Sequence, residues 1–240
     1  MRALALAALL VAVPASAQPG GQWMVAAAPR SPLVTNMQAR YRPDDPQLVG
    51  RLVTLTRVPR VDGDTPACDR PAVTRARVPA KRLFAELFPS STRYGRREIA
   101  RPADFGVGLA AGAPVNVVRV TCRAARGPQP TYLAAASFAL GAGRQALWRR
   151  ETGEHLLLLT PAAGPVRASF ACAAARTASE RAICADRQLA GWDRSVAAAF
   201  EEGGATDGEQ RAWLLERDRC GADRTCLLER MRLRTAELLR

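Results

Sequence analysis

The sequence has little histidine, a side chain on which many hydrolytic enzymes depend. Histidine occurs once, at His155, among 240 residues. Serine and cysteine hydrolases of the familiar kinds would both need that imidazole as their base. No serine or carboxylate surrounds it in a recognisable pattern, so we interpret His155 as a strand residue near a turn. A glycosidase-like pair of carboxylates stays open, although no pair is indicated. We predict a protein without enzymatic activity.

Metal-binding patterns and long apolar runs are also missing. The six cysteines form no C-x-x-C pair, and a single histidine gives them little support as zinc ligands. We therefore predict neither a metal site nor a cofactor. Beyond the N-terminus, no segment reaches the roughly 18 consecutive apolar residues that a membrane helix needs. The sequence thus predicts no membrane span.

The N-terminus has the organisation of a secretory signal peptide. Arg2 precedes an apolar stretch over residues 3–13, and residues 14–17 end in an Ala-x-Ala pattern before Gln18. A charged start, a short apolar core and a small-residue cleavage site are typical of such peptides. The alternative is an uncleaved anchor, but Pro14 and the small residues end the stretch abruptly. We predict that residues 1–17 are removed and that the mature protein is periplasmic or secreted.

Cysteine pairing follows from the predicted export. In an oxidising compartment paired cysteines are the rule, and the even number allows every cysteine to pair. About 15 connectivities are formally possible for six cysteines. Nearest-neighbour pairing keeps each bond within one part of the chain. The predicted pairs are Cys68 with Cys122, Cys172 with Cys184, and Cys220 with Cys226.

Positive charge is concentrated in the first part of the chain. Residues 18–168 contain 22 basic and 10 acidic side chains, whereas residues 169–240 contain 12 of each. Lys81 is the single lysine, and the wealth of arginine and alanine is also what a biased nucleotide composition produces. A basic exported domain attracts anionic polymers of the envelope in a salt-dependent way. We predict no specific nucleic-acid partner.

The densest basic cluster surrounds Tyr94. Its arginines are Arg93, Arg96, Arg97 and Arg101. One interpretation is a binding site for anionic polymer, and the other is a solvated loop.

Composition changes near residues 161–168, which we interpret as a linker between two domains. The first, residues 18–160, has strand-like patterns: Val118, Val120 and Cys122 alternate toward one buried side. Further strands are predicted at 52–58 and 132–140, a hairpin joins 145–150 to 154–160 through Glu151-Thr152-Gly153, and one helix spans 79–88. These patterns predict a small, mostly antiparallel β-domain.

The second domain, residues 169–240, has helical patterns. Thr177 and Glu180 predict a capping box for a helix through Cys184, and Asp186 predicts the cap of the next helix. That second helix has an apolar stripe formed by Leu189, Trp192, Val196 and Phe200, and it ends at Gly203-Gly204. A third helix is predicted from Asp207 or Gly208 to Arg219, and a fourth from Asp223 with Leu227, Met231 and Leu238 on one side. We therefore predict an α+β protein whose second domain is a disulfide-stapled helical hairpin.

Within this second domain, several strings keep a recognisable order and spacing around four cysteines. They are SFAC at 169–172, ERAIC at 180–184, LAGWD at 189–193, QRAWL at 210–214, RDRC at 217–220 and CL at 226–227. The segment resembles the LprI-type lysozyme-inhibitor domain. The resemblance implies that this domain binds lysozyme and blocks peptidoglycan cleavage, although such domains are also widespread in exported proteins whose role is unknown. The first domain more loosely resembles a β-domain of proteobacterial envelope proteins.

Gln210, Trp213 and Arg217 share one face of the predicted third helix, at spacings of three and four residues. With Asp218 they are candidates for a recognition patch. The alternative, which we favour, is an internal polar seam in which Asp193 or Asp218 pairs with Arg217.

Two functions follow from these observations. The first is a binding protein that occludes lysozyme or another envelope protein. Many lysozymes are strongly basic and would be repelled by the first domain, so the neutral second domain would have to make the contact. The alternative is a structural or adaptor protein whose arginine-rich domain binds anionic envelope polymer.

Overall fold

The computed structural model describes residues 21–33, 44–62, 68, 71–88, 90–93, 96–123 and 132–240. The predicted signal peptide, residues 1–17, and Tyr94 lie outside the described residues. The protein is α+β: a curled antiparallel sheet precedes a group of helices. We call residues 21–161 the sheet unit and residues 169–240 the helical unit.

In its described residues, the sheet unit contains an eight-stranded sheet and a two-stranded hairpin. The strands are β1 (Gln22–Ala27), β2 (Leu52–Thr54), β3 (Arg60–Val61), β4 (Ala72–Pro79), β5 (Ser91–Arg93), β6 (Arg96–Glu98), β7 (Pro114–Arg123), β8 (Tyr132–Gly141), β9 (Arg144–Arg149) and β10 (Leu156–Pro161). The large sheet has the order β3-β2-β1-β10-β9-β8-β7-β4, with every neighbouring pair antiparallel. Strands β5 and β6 form a separate two-stranded pair among the described strands. The antiparallel prediction is confirmed, and the sheet is larger than expected.

Both faces of this sheet are buried at its centre. Adjacent residues Ala146 and Leu147 of β9, and Leu156 and Leu157 of β10, are all fully buried. One face packs against helix α1 (Ala80–Leu87), which the sequence predicted at 79–88. The other face closes over residues of β1, β2 and β8 as the sheet curls.

Strand β7 shows how the two faces divide. Val120 and Cys122 are buried on the predicted side, with Val118 half-buried toward the rim. Val115 and Val117, on the opposite side, are also buried because they pack into the cluster formed with α1. The predicted pattern, with one buried face, therefore holds only for the C-terminal end of β7.

Other strand predictions need correction. The predicted strand at 52–58 is wrong in length, because β2 ends at Thr54 and the chain bends at Thr56, whose hydroxyl donates to the carbonyl of Val58 at 2.7 Å. The hairpin between β9 and β10 is confirmed, with Gly153 at φ +57 in the connection. Strands β1 and β4 were not predicted.

The helical unit consists of α2 (Ala178–Ala185), α3 (Arg187–Glu201), α4 (Asp207–Asp218) and α5 (Arg224–Leu238). The capping box of Thr177 and Glu180 and the cap at Asp186 are confirmed. Helix α4 begins at Asp207 as predicted, but its cap is Thr206, which forms a second capping box with Glu209. These caps fix where each helix begins, since their oxygens accept otherwise unpaired backbone N–H groups.

The core of the helical unit lies between α3 and α5. Of its predicted apolar positions, Phe200 is half-buried, and the others are buried: Leu189, Trp192, Val196, Leu227, Met231 and Leu238. All three predicted disulfides are present: Cys68–Cys122, Cys172–Cys184 and Cys220–Cys226. Two of them fall in the helical unit, where they fasten the chain before α2 and the loop before α5. In the described part of the chain, no helix is both long and apolar enough to cross a membrane.

Candidate functional site

The arginine cluster predicted around Tyr94 lies at the small β5–β6 hairpin. Arg93 and Arg96 are directly paired residues across this hairpin. The exposed side chain of Arg97 donates from Nε to the hydroxyl of Ser90 at 3.1 Å. Arg101 follows the hairpin and is also exposed. The structure thus places Arg97 and Arg101 at the surface of one short segment.

A groove with a volume of about 890 Å³ runs beside this segment. Cationic side chains and apolar side chains both line it. The cations are Lys81, Arg97 and Arg101, and the main apolar residues are Leu33, Ile99 and Leu109. We call this cleft the basic groove. Lys81 was not predicted as a site residue, because it is 16 residues from Arg97 in sequence and only the fold brings α1 beside the hairpin.

Leu33 and Leu109, which we call the floor of the basic groove, adjoin the core under α1. Phe105 is buried and stacks on Phe88 with ring centroids 4.3 Å apart, and Phe84 lies 5.4 Å from Phe105. Leu33 and Leu109 pack against the same cluster. Such a closely packed aromatic layer gives the groove a preformed shape.

Two carboxylates also line the basic groove. One of them, Asp104, accepts the backbone N–H of Arg101 at 2.7 Å and caps a short 3-10 turn at Pro102–Phe105. Glu98 is half-buried at the end of β6. Because Asp104 accepts the backbone N–H of Arg101, it also fixes the backbone position from which the Arg101 side chain extends. Among the described lining residues, three cations stand against two carboxylates, so their net charge is positive.

The candidates on α4 form a seam inside the helical unit. Arg217 is buried and lies between two carboxylates: its Nη1 is 3.4 Å from Asp193, and its Nη2 donates to Asp218 at 2.8 Å. Both partners considered from the sequence therefore contact it. Asp193 also accepts the backbone N–H of Ser169 at 2.7 Å. The Arg217–Asp193 pair thus ties α4 and α3 to the start of the helical unit.

The rest of this face joins α4 to α5. Gln210 accepts two N–H groups from the buried Arg234 side chain, at 3.1 and 3.2 Å. Trp213 lies between Arg217 and Arg234, whose guanidinium carbons are 5.8 and 5.9 Å from the ring centre. These distances allow weak cation–π attraction. The groups that a recognition patch would present are therefore engaged with the protein itself.

Sequence reasoning missed the contact between the two units. Arg51, which precedes β2, is only 2% exposed and crosses to α3, where it donates to the carbonyl of Gly191 at 2.9 Å and to the hydroxyl of Ser195. Its guanidinium lies 3.4 Å from the ring centre of Trp192, and Asp62 pairs with it at 3.2 Å. Nothing in the local sequence marks this arginine, because its partners on α3 are 140 or more residues away.

Burial dominates the electrostatics of this contact. Burial lowers the pKa of Arg51 to about 10, against the opposing effect of the nearby Asp62 carboxylate. Burial likewise raises the pKa of Asp62, although the positive charge of Arg51 opposes the change. The pair is thus held in place at a desolvation cost to both charges.

A smaller polar cleft of about 480 Å³ adjoins this contact, and Asp62, Asp186, Gln188 and Arg224 are among its lining residues. Arg224 donates to Asp186 at 2.8 Å and to the amide oxygen of Gln188. Burial alone would raise the pKa of Asp186, but hydrogen bonds from Arg224 and from the backbone of α3 outweigh it and lower that pKa. The cleft is therefore largely a network of side chains satisfied by one another.

His155 is buried next to the β9–β10 turn, with Nδ1 3.1 Å from the carbonyl oxygen of Thr152. It lies at a strand bridge to Arg30, which agrees with its interpretation as a strand residue near a turn. Among the described residues, no three His, Cys, Asp or Glu side chains are arranged to hold a metal ion.

Comparison of the chain with models of protein families, with curated proteins and with solved structures finds no match.

Proposed function

We propose that this protein is an exported binding protein of the cell envelope, without catalytic activity, that holds anionic envelope material in its basic groove. The observation that carries this proposal is the meeting of Lys81, Arg97 and Arg101 on one preformed concave surface. The solvated-loop interpretation does not require such a surface. Three disulfides agree with an oxidising compartment, as expected after export.

The helical unit would serve as the adaptor in this arrangement. It has no net charge in its 72 residues, so it is free of the repulsion that the sheet unit would exert on basic proteins. Arg51 and its contacts hold it against the sheet unit, so a partner bound to the helices is linked to material held in the groove.

Retention of the mature protein on immobilised linear polyphosphate tests the proposal. The double variant Arg97→Ser, Arg101→Ser should elute at lower salt, and the dependence of log affinity on log salt should fall by about one for each lost phosphate contact. The matched control is Arg75→Ser, Arg77→Ser, which removes the same charge from exposed positions on β4, outside the groove. Equal loss in both double variants would mean that general charge, not the groove, binds the polymer.

A second candidate function is lysozyme inhibition by the helical unit. It is supported by the resemblance of the four-cysteine segment and by two exposed leucines, Leu215 on α4 and Leu233 on α5, at 72% and 60% exposure. Exposed apolar side chains favour contact with a protein partner.

A lysis assay, in which lysozyme acts on cell walls with the mature protein present at two salt concentrations, tests this candidate. Inhibition at both salts that weakens in Leu215→Ser or Leu233→Ser, but not in the Arg97→Ser, Arg101→Ser variant, would support it. No inhibition at either salt would exclude it and leave the groove as the functional surface.

A further inference from the structure

The basic groove is amphipathic, and this feature restricts its ligand beyond negative charge. We infer that it binds one molecule of an anionic amphiphile, with a phosphate or carboxylate head at the cationic rim and an alkyl chain along the apolar floor. This inference rests on the proposed function and names the class of ligand that the same groove takes.

The first observation is that large apolar side chains line the groove. Ile99, Leu33 and Leu109 line the groove together with prolines and alanines. Ile99 is 36% exposed, and the only other large apolar side chains as exposed among the described residues are Leu215 and Leu233, in the helical unit. A hydrophilic polyanion gains nothing from contact with this surface, whereas an alkyl chain gains free energy for each methylene that it buries.

The rim provides the charge complementarity. Lys81 stands at the start of α1, and Arg97 and Arg101 flank Ile99 two residues away on either side. The cations therefore border the exposed isoleucine along the chain. A head group at the rim would receive charge-assisted hydrogen bonds from lysine and arginine donors.

The shape favours a single molecule over a membrane surface. The cleft has a volume of about 890 Å³, within the roughly 300–1,000 Å³ typical of small-molecule sites. Its floor is supported by the stacked rings of Phe88 and Phe105, so the concavity does not depend on a ligand. A flat bilayer would contact the edges of such a cleft and leave its floor uncovered.

Binding of dodecyl phosphate below its micelle concentration, measured by calorimetry on the mature protein, tests the inference. We expect affinity on the order of 100-fold above that of inorganic phosphate, from burial of several methylenes. Dodecyl maltoside, which has the chain without the charge, should bind far more weakly than dodecyl phosphate.

Variants separate the inference from the proposed function. Ile99→Ser should weaken dodecyl phosphate binding on the order of tenfold and leave polyphosphate retention unchanged. Arg97→Ser with Arg101→Ser should weaken both. Because Leu109 is less exposed than Ile99, Leu109→Ser is a second variant, to be used once its thermal unfolding shows that it folds.

Several outcomes would overturn the inference. Dodecyl phosphate binding no tighter than inorganic phosphate, with polyphosphate still retained, would leave a groove for a hydrophilic polymer. Retention on vesicles of anionic phospholipid without monomer binding would indicate a membrane surface instead. If every groove variant, including Arg97→Ser with Arg101→Ser, retained polyphosphate as the unaltered protein does, the proposed function itself would be wrong.

Discussion

Arginines have different roles in the basic groove of the sheet unit and in the Arg217 seam of the helical unit. In the sheet unit, Arg97 and Arg101 are exposed beside a groove. In the helical unit, Arg217 and Arg234 are buried and bound to acidic or amide groups. The same residue type therefore gives one unit its surface charge and the other part of its internal structure.

Core size explains the difference. The sheet buries clusters of apolar side chains on both faces, so its interior is mainly apolar. The helical unit has a single cluster between short helices, and it adds two disulfides and the Arg217 seam. Small cores commonly need such additional links. Arg51 and Arg149 are the buried arginines in the described part of the sheet unit, and Arg51 belongs to the contact between the units.

The largest expected effect concerns the disulfides. Replacing Cys68 and Cys122 by serine should destabilise the protein by about 4 kcal/mol, because this bond closes a loop between residues 54 apart. Replacing Cys172 and Cys184, which are 12 residues apart, should lower the free energy of unfolding by about 3 kcal/mol. Urea unfolding followed by tryptophan fluorescence measures both. A greater loss from the shorter loop would show that the helical unit depends on its staples more than loop entropy predicts.

The buried seam gives the next largest effect. Arg217→Ala should destabilise the helical unit by about 3 kcal/mol, since it leaves Asp193 buried without its cation. The matched control is Arg219→Ala, two residues away, whose side chain is 76% exposed and pairs with Glu216. That control should cost less than about 0.5 kcal/mol. Thermal unfolding by circular dichroism compares them, and equal losses would contradict the internal role of Arg217.

A substitution at the contact between the units should have an intermediate effect. A Cβ on Gly191 would lie 2.5 Å from the carbonyl oxygen of Gly50, so Gly191→Ala must push the units apart. We expect a loss of about 2 kcal/mol and separate unfolding of the units, visible by calorimetry. The control is Gly208→Ala on α4, where the nearest atom is 3.9 Å away and a small gain is expected. A single transition in Gly191→Ala would mean that the contact tolerates the methyl group.

The smallest effect is the pH dependence of stability. The contributions of Glu180 in the helical unit and of Asp62 in the sheet unit should change with pH in opposite directions. Hydrogen bonds from the N–H groups of Thr177 and Arg176 lower the pKa of Glu180 below its ordinary 4.5. Its stabilisation of the helical unit is therefore full above pH 4.5 and is lost as the pH falls through the lowered pKa. Burial raises the pKa of Asp62, so its contribution is full below its ordinary value of 3.8 and is lost as the pH rises through the raised pKa.

The variant Glu180→Gln tests this difference. It should lessen the decline of stability below pH 4.5 by less than about 1 kcal/mol, because the carboxylate is exposed to solvent. Urea unfolding between pH 3 and pH 6 makes the comparison. An unchanged decline in the variant would show that another group causes the acid sensitivity of the helical unit.

Predictability from sequence differed between the units for a physical reason. Helix caps and apolar stripes are local, so Thr177, Asp186 and the Leu189 stripe marked α2 and α3 correctly. The second capping box at Thr206 has the same signal and could have been found. Strand β1 also alternates, with Trp23 and Val25 buried, and was detectable by its period of two.

Other features had no local signal. Strand β4 has exposed arginines and half-buried apolar residues, so its sequence resembles a loop until β7 is placed beside it. Lys81 joins the basic groove only through the position of α1. Arg93 and Arg96 were predicted with Arg97 because they are close in sequence, and the hairpin then paired them across its strands.

The sequence by itself determined the starts of α2 and α3, the α+β class and the uneven charge, since each depends on patterns or composition along the chain. It allowed about 15 cysteine pairings, of which the nearest-neighbour set is the one present. Tertiary structure decided which arginines are surface charges and which are internal links. It also decided that Lys81, Ile99 and Arg101 line one groove and that Arg51 joins the two units. These outcomes depend on contacts between residues far apart in the chain, where packing and desolvation, not local preference, set the free energy.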